Sequence, residues 1–492
     1  MSSKQSQHQV HLTTSVDQDT SSPEAIHDGP FCIGLIGDFT AGGSAQAGRG
    51  LSSRRPVLID RDNVDQVLSR FAPKLELSLG ETSIPIHITE MDDFHPDRLY
   101  EKLPVFRAMQ ETRQRLADPN KFADLVGARA EPGESSGGSS SEVDAGSGFL
   151  DRIIEKTADP SKDVVSTDLR QVMKRVVAPH LVSEVQPKQA ELLAQVADAT
   201  TSLMRWVLHD RRFQALEALW RGVFFLTRRI ETSKDLRLYL IDASKDELHA
   251  DLDGERQLSD TESYKFLVES TVGTPGADRW AVLVGVYSFG ADPGDTALLG
   301  GLGALARRAG APWISGGDPA LVGCPSIDQL PDPGAWAPEP APGWEGLRRS
   351  ADAPWIGISL PRFLLRLPYG RQTDSCEALA FEEFEGTPEH EDYLWGNPAL
   401  CCTLLLAESF GAAGRPLRVG AHRDIGGLPL HLFKEGGETL SKPCAEVLVT
   451  DRVAERLLDS GPMPLVSFKD SDRIMLARFQ SISGTPRPLA GF

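Results

Sequence analysis

The chain has 492 residues and carries 51 Lys and Arg against 70 Asp and Glu, a formal net charge of −19. Hydrophobic residues make up 40% of it, enough to build real cores across about two to four domains. The acidic excess argues against a general nucleic-acid binder, because phosphate contacts need Lys and Arg. The most apolar stretches, Trp280–Val286 and Ala399–Ala407, fall short of the about 20 residues a membrane-crossing helix requires.

In chain order, Met1–Gly29 is polar, lacks the charged-then-apolar pattern of a signal segment and reads as a disordered tail. The apolar run Phe31–Ile36 fits a buried strand. Gly42–Ser53 is rich in Gly, Ser and Ala and reads as a loop, followed by a short strand at Val57–Ile59. Val64, Val67, Leu68 and Phe71 fall at helical spacing. Leu75, Leu77 and Leu79 alternate with polar residues, and Ile84, Ile86 and Ile88 repeat the pattern after a turn near Gly80. His95-Pro96 starts a helix, with Pro at the first helical position and Asp97 in the first turn, and Pro104 kinks or splits it.

Between Gly127 and Gly148, Gly and Ser fill 12 of 22 positions, six each. This is a flexible linker with an r.m.s. span of about 26 Å. Beyond it lie a short amphipathic patch at Phe149–Glu155, a helix from about Pro187 to His209, and a second helix that Asp210 caps. Leu236–Ile241 alternates like a strand, and Trp280–Tyr287 reads as a fully buried one. The helix Thr296–Ala309 and the strand Pro312–Ser315 then complete a βαβ unit. Pro325–Pro342 is Pro-rich and irregular. Strand and helix go on alternating through Trp355–Leu360, Pro398–Phe410, Glu446–Val449 and Leu465–Phe468. The expected fold class is α/β: two α/β domains joined by a flexible linker, behind a disordered N-terminal tail.

A search for chemistry finds no catalytic set. Gly301-Leu302-Gly303 imitates a dinucleotide fingerprint but lies inside a helix, where its glycines serve close helix–sheet packing. There is no P-loop, HExxH or GxSxG sequence. The six cysteines are sparse, with no CxxC or zinc spacing. Adjacent Cys401 and Cys402 read as small buried hydrophobes. The cluster Glu382, Glu383, Glu385, Glu389, Glu391 and Asp392 lacks EF-hand spacing and reads as a solvated loop or an electrostatic contact surface, with His390 a surface residue in it. The pairs Arg211-Arg212, Arg228-Arg229 and Arg348-Arg349 each read as a solvated face, or together as partners for that acidic loop in a neighbouring copy. The expectation is a non-enzyme with no cofactor, metal or nucleic-acid partner and no membrane insertion, in a reduced cytoplasmic compartment.

Two sets of motifs say more. In the first half, Gly34-Leu35-Ile36-Gly37-Asp38-Phe39 precedes Ile59-Asp60-Arg61-Asp62-Asn63-Val64-Asp65, Ala72-Pro73-Lys74-Leu75 and Met91-Asp92-Asp93-Phe94-His95-Pro96-Asp97. This order resembles the small sheath subunit of the type VI secretion system (TssB, or VipA). In the second half, the stretch Phe213–Gly222 contains Trp220-Arg221-Gly222, and Leu360-Pro361-Arg362-Phe363-Leu364-Leu365-Arg366-Leu367-Pro368-Tyr369 follows. Then come Tyr393-Leu394-Trp395-Gly396-Asn397, Thr450-Asp451-Arg452 and Pro464–Asp472 with Phe468-Lys469-Asp470. These resemble the large sheath subunit (TssC, or VipB). The likeness places a small-subunit-like domain at 30–126 and a large-subunit-like domain at 149–492.

The resemblance implies a structural protein of the bacterial cytoplasm. Small and large subunits polymerise around a tube of the ring-forming protein Hcp, contract to drive that tube outward, and are recycled by a ClpV-type AAA+ unfoldase. Baseplate components and other sheath protomers, self or separate TssB and TssC, are the further implied partners. Phe149, Leu150, Ile153 and Ile154 resemble the large-subunit helix that the unfoldase recognises. Relative to the family, the first half ends without a terminal helix and strand, and the second half lacks the usual C-terminal extension. Those departures leave a second reading, a sheath-like accessory factor that caps or regulates assembly at the sheath end or baseplate without polymerising.

Overall fold

A computed structural model describes residues 29–42, 50–79, 82–119, 121–122, 189–253, 256–337 and 341–492. The N-terminal tail through residue 28, the Gly/Ser-rich stretch and the Phe149–Glu155 patch lie outside the described residues.

In the first segment, β1 (Phe31–Gly37) is a continuous apolar run with every residue buried. β2 (Val57–Ile59) precedes α1 (Val64–Phe71), whose buried face is Val64, Val67, Leu68 and Phe71, as the helical spacing predicts. β3 (Lys74–Leu79) and β4 (Thr82–His87) form an antiparallel hairpin with Leu75 opposite Ile86 and Leu77 opposite Ile84. α2 (Pro96–Lys102) and α3 (Pro104–Ala117) are the two pieces into which Pro104 divides one helical stretch.

The second segment opens with α4 (Gln189–Leu208) and α5 (Arg211–Arg229). The Asp210 carboxylate accepts from the amides of Arg212 (2.9 Å) and Phe213 (3.4 Å), which fixes the start of α5. β5 (Leu236–Asp242), α6 (Lys245–Asp251), β6 (Trp280–Phe289), α7 (Pro293–Ala309), β7 (Trp313–Gly317), α8 (Pro342–Arg348) and β8 (Ile356–Leu360) continue the α/β alternation. Short strands β9 (Phe363–Leu364) and β10 (Trp395–Gly396) pair antiparallel ahead of α9 (Ala399–Ala413). The chain then runs through β11 (Asp424–Ile425), β12 (Leu432–Glu435), β13 (Glu438–Ser441), α10 (Asp451–Asp459), β14 (Met463–Ser467) and β15 (Ile474–Leu476).

The two segments build one nine-stranded sheet in the order β11-β15-β14-β8-β7-β6-β1-β5-β2. Strands β14, β8, β7, β6, β1 and β5 run parallel, with antiparallel strands at both edges. Helices cover both faces, as a buried parallel sheet requires. One core joins β1, α1, α3, α4, α5 and α9; the other lies under α6, α7 and α8.

Three local expectations change. Helix α7 begins at Pro293, not Thr296, because the Asp292 side chain caps the Asp295 amide (3.0 Å) and Pro occupies the first turn. Glu446–Val449 is irregular, not a strand: Glu446 has φ of 50° and gives its carboxylate to Arg362. The β12–β13 hairpin has no counterpart in the sequence reading, although Gly436-Gly437 supplies the positive φ values of 58° and 89° that such a turn needs.

Gly301-Leu302-Gly303 does lie within α7, where the helix crosses the sheet closely. A Cβ on Gly303 would sit 2.5 Å from Ile356 Cδ1 and 2.8 Å from its Cγ1, both on a fully buried side chain. Gly303→Val is therefore expected to destabilise the fold by about 1–3 kcal/mol through overpacking. Gly411→Ala, in a helix with open space around it, is expected to be neutral or to stabilise by up to about 1 kcal/mol. Thermal or urea unfolding of the two variants checks the contrast.

Candidate functional site at the junction of the two segments

The junction begins with backbone pairing. β1 matches β5 from Phe31–Leu236 through Gly37–Asp242 without a break, and matches β6 from Cys32–Trp280 to Ile36–Gly285 with one irregularity. Its side chains alternate between the two cores. Phe31, Ile33 and Leu35 enter the core shared with α1, α4, α5 and α9, while Cys32 and Ile36 enter the core under α6 and α7. The first segment thus supplies a central strand to a sheet made mostly by the second.

Side chains secure the same seam. Trp220 of α5 donates its indole N–H to the Phe39 carbonyl at 3.1 Å, and Phe39, Phe71 and Trp220 form an aromatic triad with centroids 5.5 to 5.8 Å apart. Phe94 meets Phe213 edge-on at 5.8 Å. The Asp97 carboxylate accepts from the amides of Glu377 (2.8 Å) and Ala378 (2.9 Å). Arg54, just before β2, forms a two-pronged pair with Glu247 of α6 and also donates to the Asp242 carbonyl. Thr40 donates to the Asp242 carboxylate at 3.0 Å.

A buried charge network lies against this seam. Arg366 pairs with Glu217 of α5 (2.9 Å) and with Glu383 (2.8 Å). Arg221 pairs with Glu217 (2.6 Å) and donates to the Tyr369 hydroxyl (2.7 Å), while the Tyr369 amide donates to Glu383 (2.7 Å). The His95 ring of the first segment packs edge-on against Tyr369 at 4.9 Å. A second network centres on Glu446, which accepts from the Arg362 amide (2.6 Å), the Arg362 guanidinium (2.7 Å) and His390 (3.1 Å).

These networks correct the reading of the charged runs. Glu383 is 1% exposed and is a structural anion, not part of a solvated loop. His390 stacks on Trp395 at 5.1 Å and bonds Glu446, so it is no free surface residue. Arg348 is 8% exposed and donates to the carbonyls of Ile482 and Asp459. Among the described residues, the acidic loop pairs within the chain with Arg205, His209, Arg362, Arg366 and Arg371, none of them from the three Arg pairs. Cys401 and Cys402 are buried in α9, as expected, and burial pushes both thiols up.

The structure brings Arg221, Arg366 and Tyr369 together, sets Trp220 against Phe39 and Phe71, and puts Arg362 beside Trp395. Pro361, Phe363 and Pro368 are buried in the same stretch, and a Cβ on Gly222 would collide with Leu400. Asn397 bridges the Tyr287 carbonyl (2.8 Å) and the Ala399 amide (3.0 Å), tying α9 to the sheet. Other motif positions are local locks. Asp60 accepts from the amides of Asp62 and Asn63 before α1, Asp38 accepts from Gly42, and Asp93 accepts from Thr89 and pairs with Lys102. Asp451, Arg452 and Lys469 are exposed and lie outside the seam, whereas exposed Asp92 lines a cleft at it with Asp97, Glu377 and Ala378. Glu217, Asp242 and Arg54 also hold the junction, without a role in the sequence reading, and Asp97, read there as a first-turn residue within a family motif, joins them. Glu217 did leave a signal, a carboxylate four residues before Arg221 on a helix of apolar spacing.

The two kinds of carboxyl respond oppositely to pH. Burial pushes Asp242 up to about 6, and nearby Asp38 adds to this against Thr40 and Arg54. Folded protein therefore binds that proton more tightly than unfolded chain. The stabilisation is present in acid and is lost as pH rises from about 4 to about 6. Burial would raise Glu383 too, but Arg366 and its hydrogen bonds outweigh it and hold it at about 2. Its contribution is present above the ordinary carboxylate range and is lost as pH falls toward 2. Asp242→Asn is expected to lessen the decline in melting temperature between pH 4 and 6 and to raise stability at pH 7 by up to about 3 kcal/mol. Arg366→Ala is expected to destabilise the fold by about 3–5 kcal/mol, since it leaves Glu217 and Glu383 buried without that cation. Thermal melting across the pH range measures both.

Comparison with known proteins bears on this seam from both sides. Residues 190–483 match the VipB family model, described as EvpB/VC_A0108, tail sheath N-terminal domain. Residues 3–125 match the model for type VI secretion system VipA, VC_A0107 or Hcp2. The chain is 32% identical over 336 residues to the type VI secretion system sheath protein TssC1 of Pseudomonas aeruginosa, covering 65% of this chain and 67% of that protein. It is 28% identical over 102 residues to the sheath protein TssB1 of the same organism, covering 19% of this chain and 59% of that protein. No helix among the described residues is long and apolar enough to cross a membrane. The chain belongs to the type VI secretion tail-sheath family and is a structural sheath component in which small-subunit-like and large-subunit-like segments share one sheet.

Proposed function

We propose that one chain serves as a fused small- and large-subunit sheath protomer, with residues 30–126 as the small-subunit domain and residues 149–492 as the large-subunit domain. The supporting observation is the position of β1, a first-segment strand paired on both sides by second-segment strands. Such protomers polymerise helically in the bacterial cytoplasm around an Hcp-type tube, start from a baseplate and contract to drive the tube outward. Contraction needs protomers that keep their internal packing while contacts between them change between discrete arrangements. The buried seam supplies the rigid body that this requires.

The sequence Phe149–Glu155 is the proposed address for a ClpV-type unfoldase, with Phe149, Leu150, Ile153 and Ile154 as the apolar anchors of a groove-docking helix. Negative-stain microscopy of the purified chain is expected to show hollow helical tubes; discrete monomers or small rings would contradict a self-sufficient protomer. Leu150→Asp is expected to weaken binding to the unfoldase at least tenfold without altering the melting temperature. Unchanged affinity would remove that segment from the recognition site.

A further inference from the structure

Whether such a protomer also takes up separate small subunits is decided by the space between β5 and β6. Both strands present an edge toward that space, and β1 of the same chain pairs with the whole of β5 and with β6 from Trp280 to Gly285. A second copy of the small-subunit segment would need the same carbonyls and amides of β5 and β6. It would also need the aromatic pocket that Phe39 and Phe71 already fill against Trp220, and the Glu377 and Ala378 amides already taken by Asp97.

The covalent connection decides the competition. Gln189, at the start of α4, donates from its side chain to the Leu116 carbonyl of α3 at 2.6 Å. Further along the same pair, Thr200 of α4 lies 3.5 Å from the Met109 sulfur of α3. Contacts that advance along one helix while receding along the other make α3 and α4 an antiparallel pair. The described chain on either side of the interruption therefore ends at neighbouring points, and docking within one chain requires no particular span from the intervening residues. With 66 residues between the described segments, the tethered segment meets its slot at an effective concentration of about a tenth of the roughly millimolar value of a short linker. A free small subunit at about micromolar concentration faces roughly a hundredfold disadvantage before any difference in contacts.

We infer that this chain is closed to separate small sheath subunits: its β5–β6 slot is occupied by its own first segment, so it joins other protomers only as a whole unit. The inference deepens the protomer reading but rests on the seam alone, so it can fail while tubes still form, and tubes can fail to form while it holds.

The test is co-expression of the intact chain with a separately tagged second copy of its own residues 1–126, followed by affinity capture on that tag. The intact chain is expected to be recovered at no more than about one hundredth of the captured segment. A chain from which residues 1–126 have been deleted, co-expressed in the same way, is expected to be captured one-for-one. One-for-one capture of the intact chain overturns the inference. Failure to capture a deleted chain that is soluble and elutes as a folded monomer overturns it too, because the slot would then not be a docking site for the segment at all.

Discussion

A strand buried in the middle of a sheet must pair its amides and carbonyls on both sides, because no water reaches them there. In this protein that strand, β1, comes from one segment and its neighbours β5 and β6 from the other. The rest of the architecture follows. Alternate β1 side chains feed two separate cores, so helices from both segments must cover the sheet for either core to be dry. A sheet lacking β1 would expose two edges of unpaired backbone amides and carbonyls in its centre, an arrangement prone to wrong pairing. Joining the segments in one chain secures the strand at fixed stoichiometry.

Around that backbone constraint, the polar groups act as specificity elements more than as sources of net stability. Glu217, Glu383, Arg221 and Arg366 are charges taken largely out of water, and such groups give back little net energy once desolvation is counted. What they do is penalise every other arrangement, since displacing any one leaves a buried partner uncompensated. Asp242 behaves differently. It shares its surroundings with Asp38 and Glu247, and the guanidinium of Arg54 pairs with Glu247, so among the described residues the carboxylates there outnumber the charge that Arg54 supplies. The seam is thus rigid at its charge network and under electrostatic tension at the ends of β1 and β5.

Much of the fold was legible because its elements are locally consistent. The apolar run of β1, the spacing of α1, the alternation of β3 and β4, Pro104 and the Asp210 cap each point to the element that forms. What was not legible is non-local. No periodicity says that Phe31–Gly37 pairs with Leu236–Asp242, some two hundred residues away in sequence. The same limit hid the network: Glu383 reads as one carboxylate in an acidic run, and only the tertiary approach of Arg366 and α5 makes it buried. His390 and Arg348 were misread for that reason. The resemblance to sheath subunits marked Trp220, Arg366 and Tyr369 without assigning them a role, and the structure gives them one at the seam.

The account stands or falls on β1 being an integral strand of the second segment's sheet, and native-state hydrogen exchange of the intact chain tests this directly. The amides of Ile33, Leu35 and Ile36 should exchange only through global unfolding, with the same free energy and denaturant dependence as those of Leu238, Leu240, Val282 and Val284. If the β1 amides instead exchange through a low-energy local opening while β5 and β6 stay protected, the two segments do not form one cooperative body and the shared sheet is wrong.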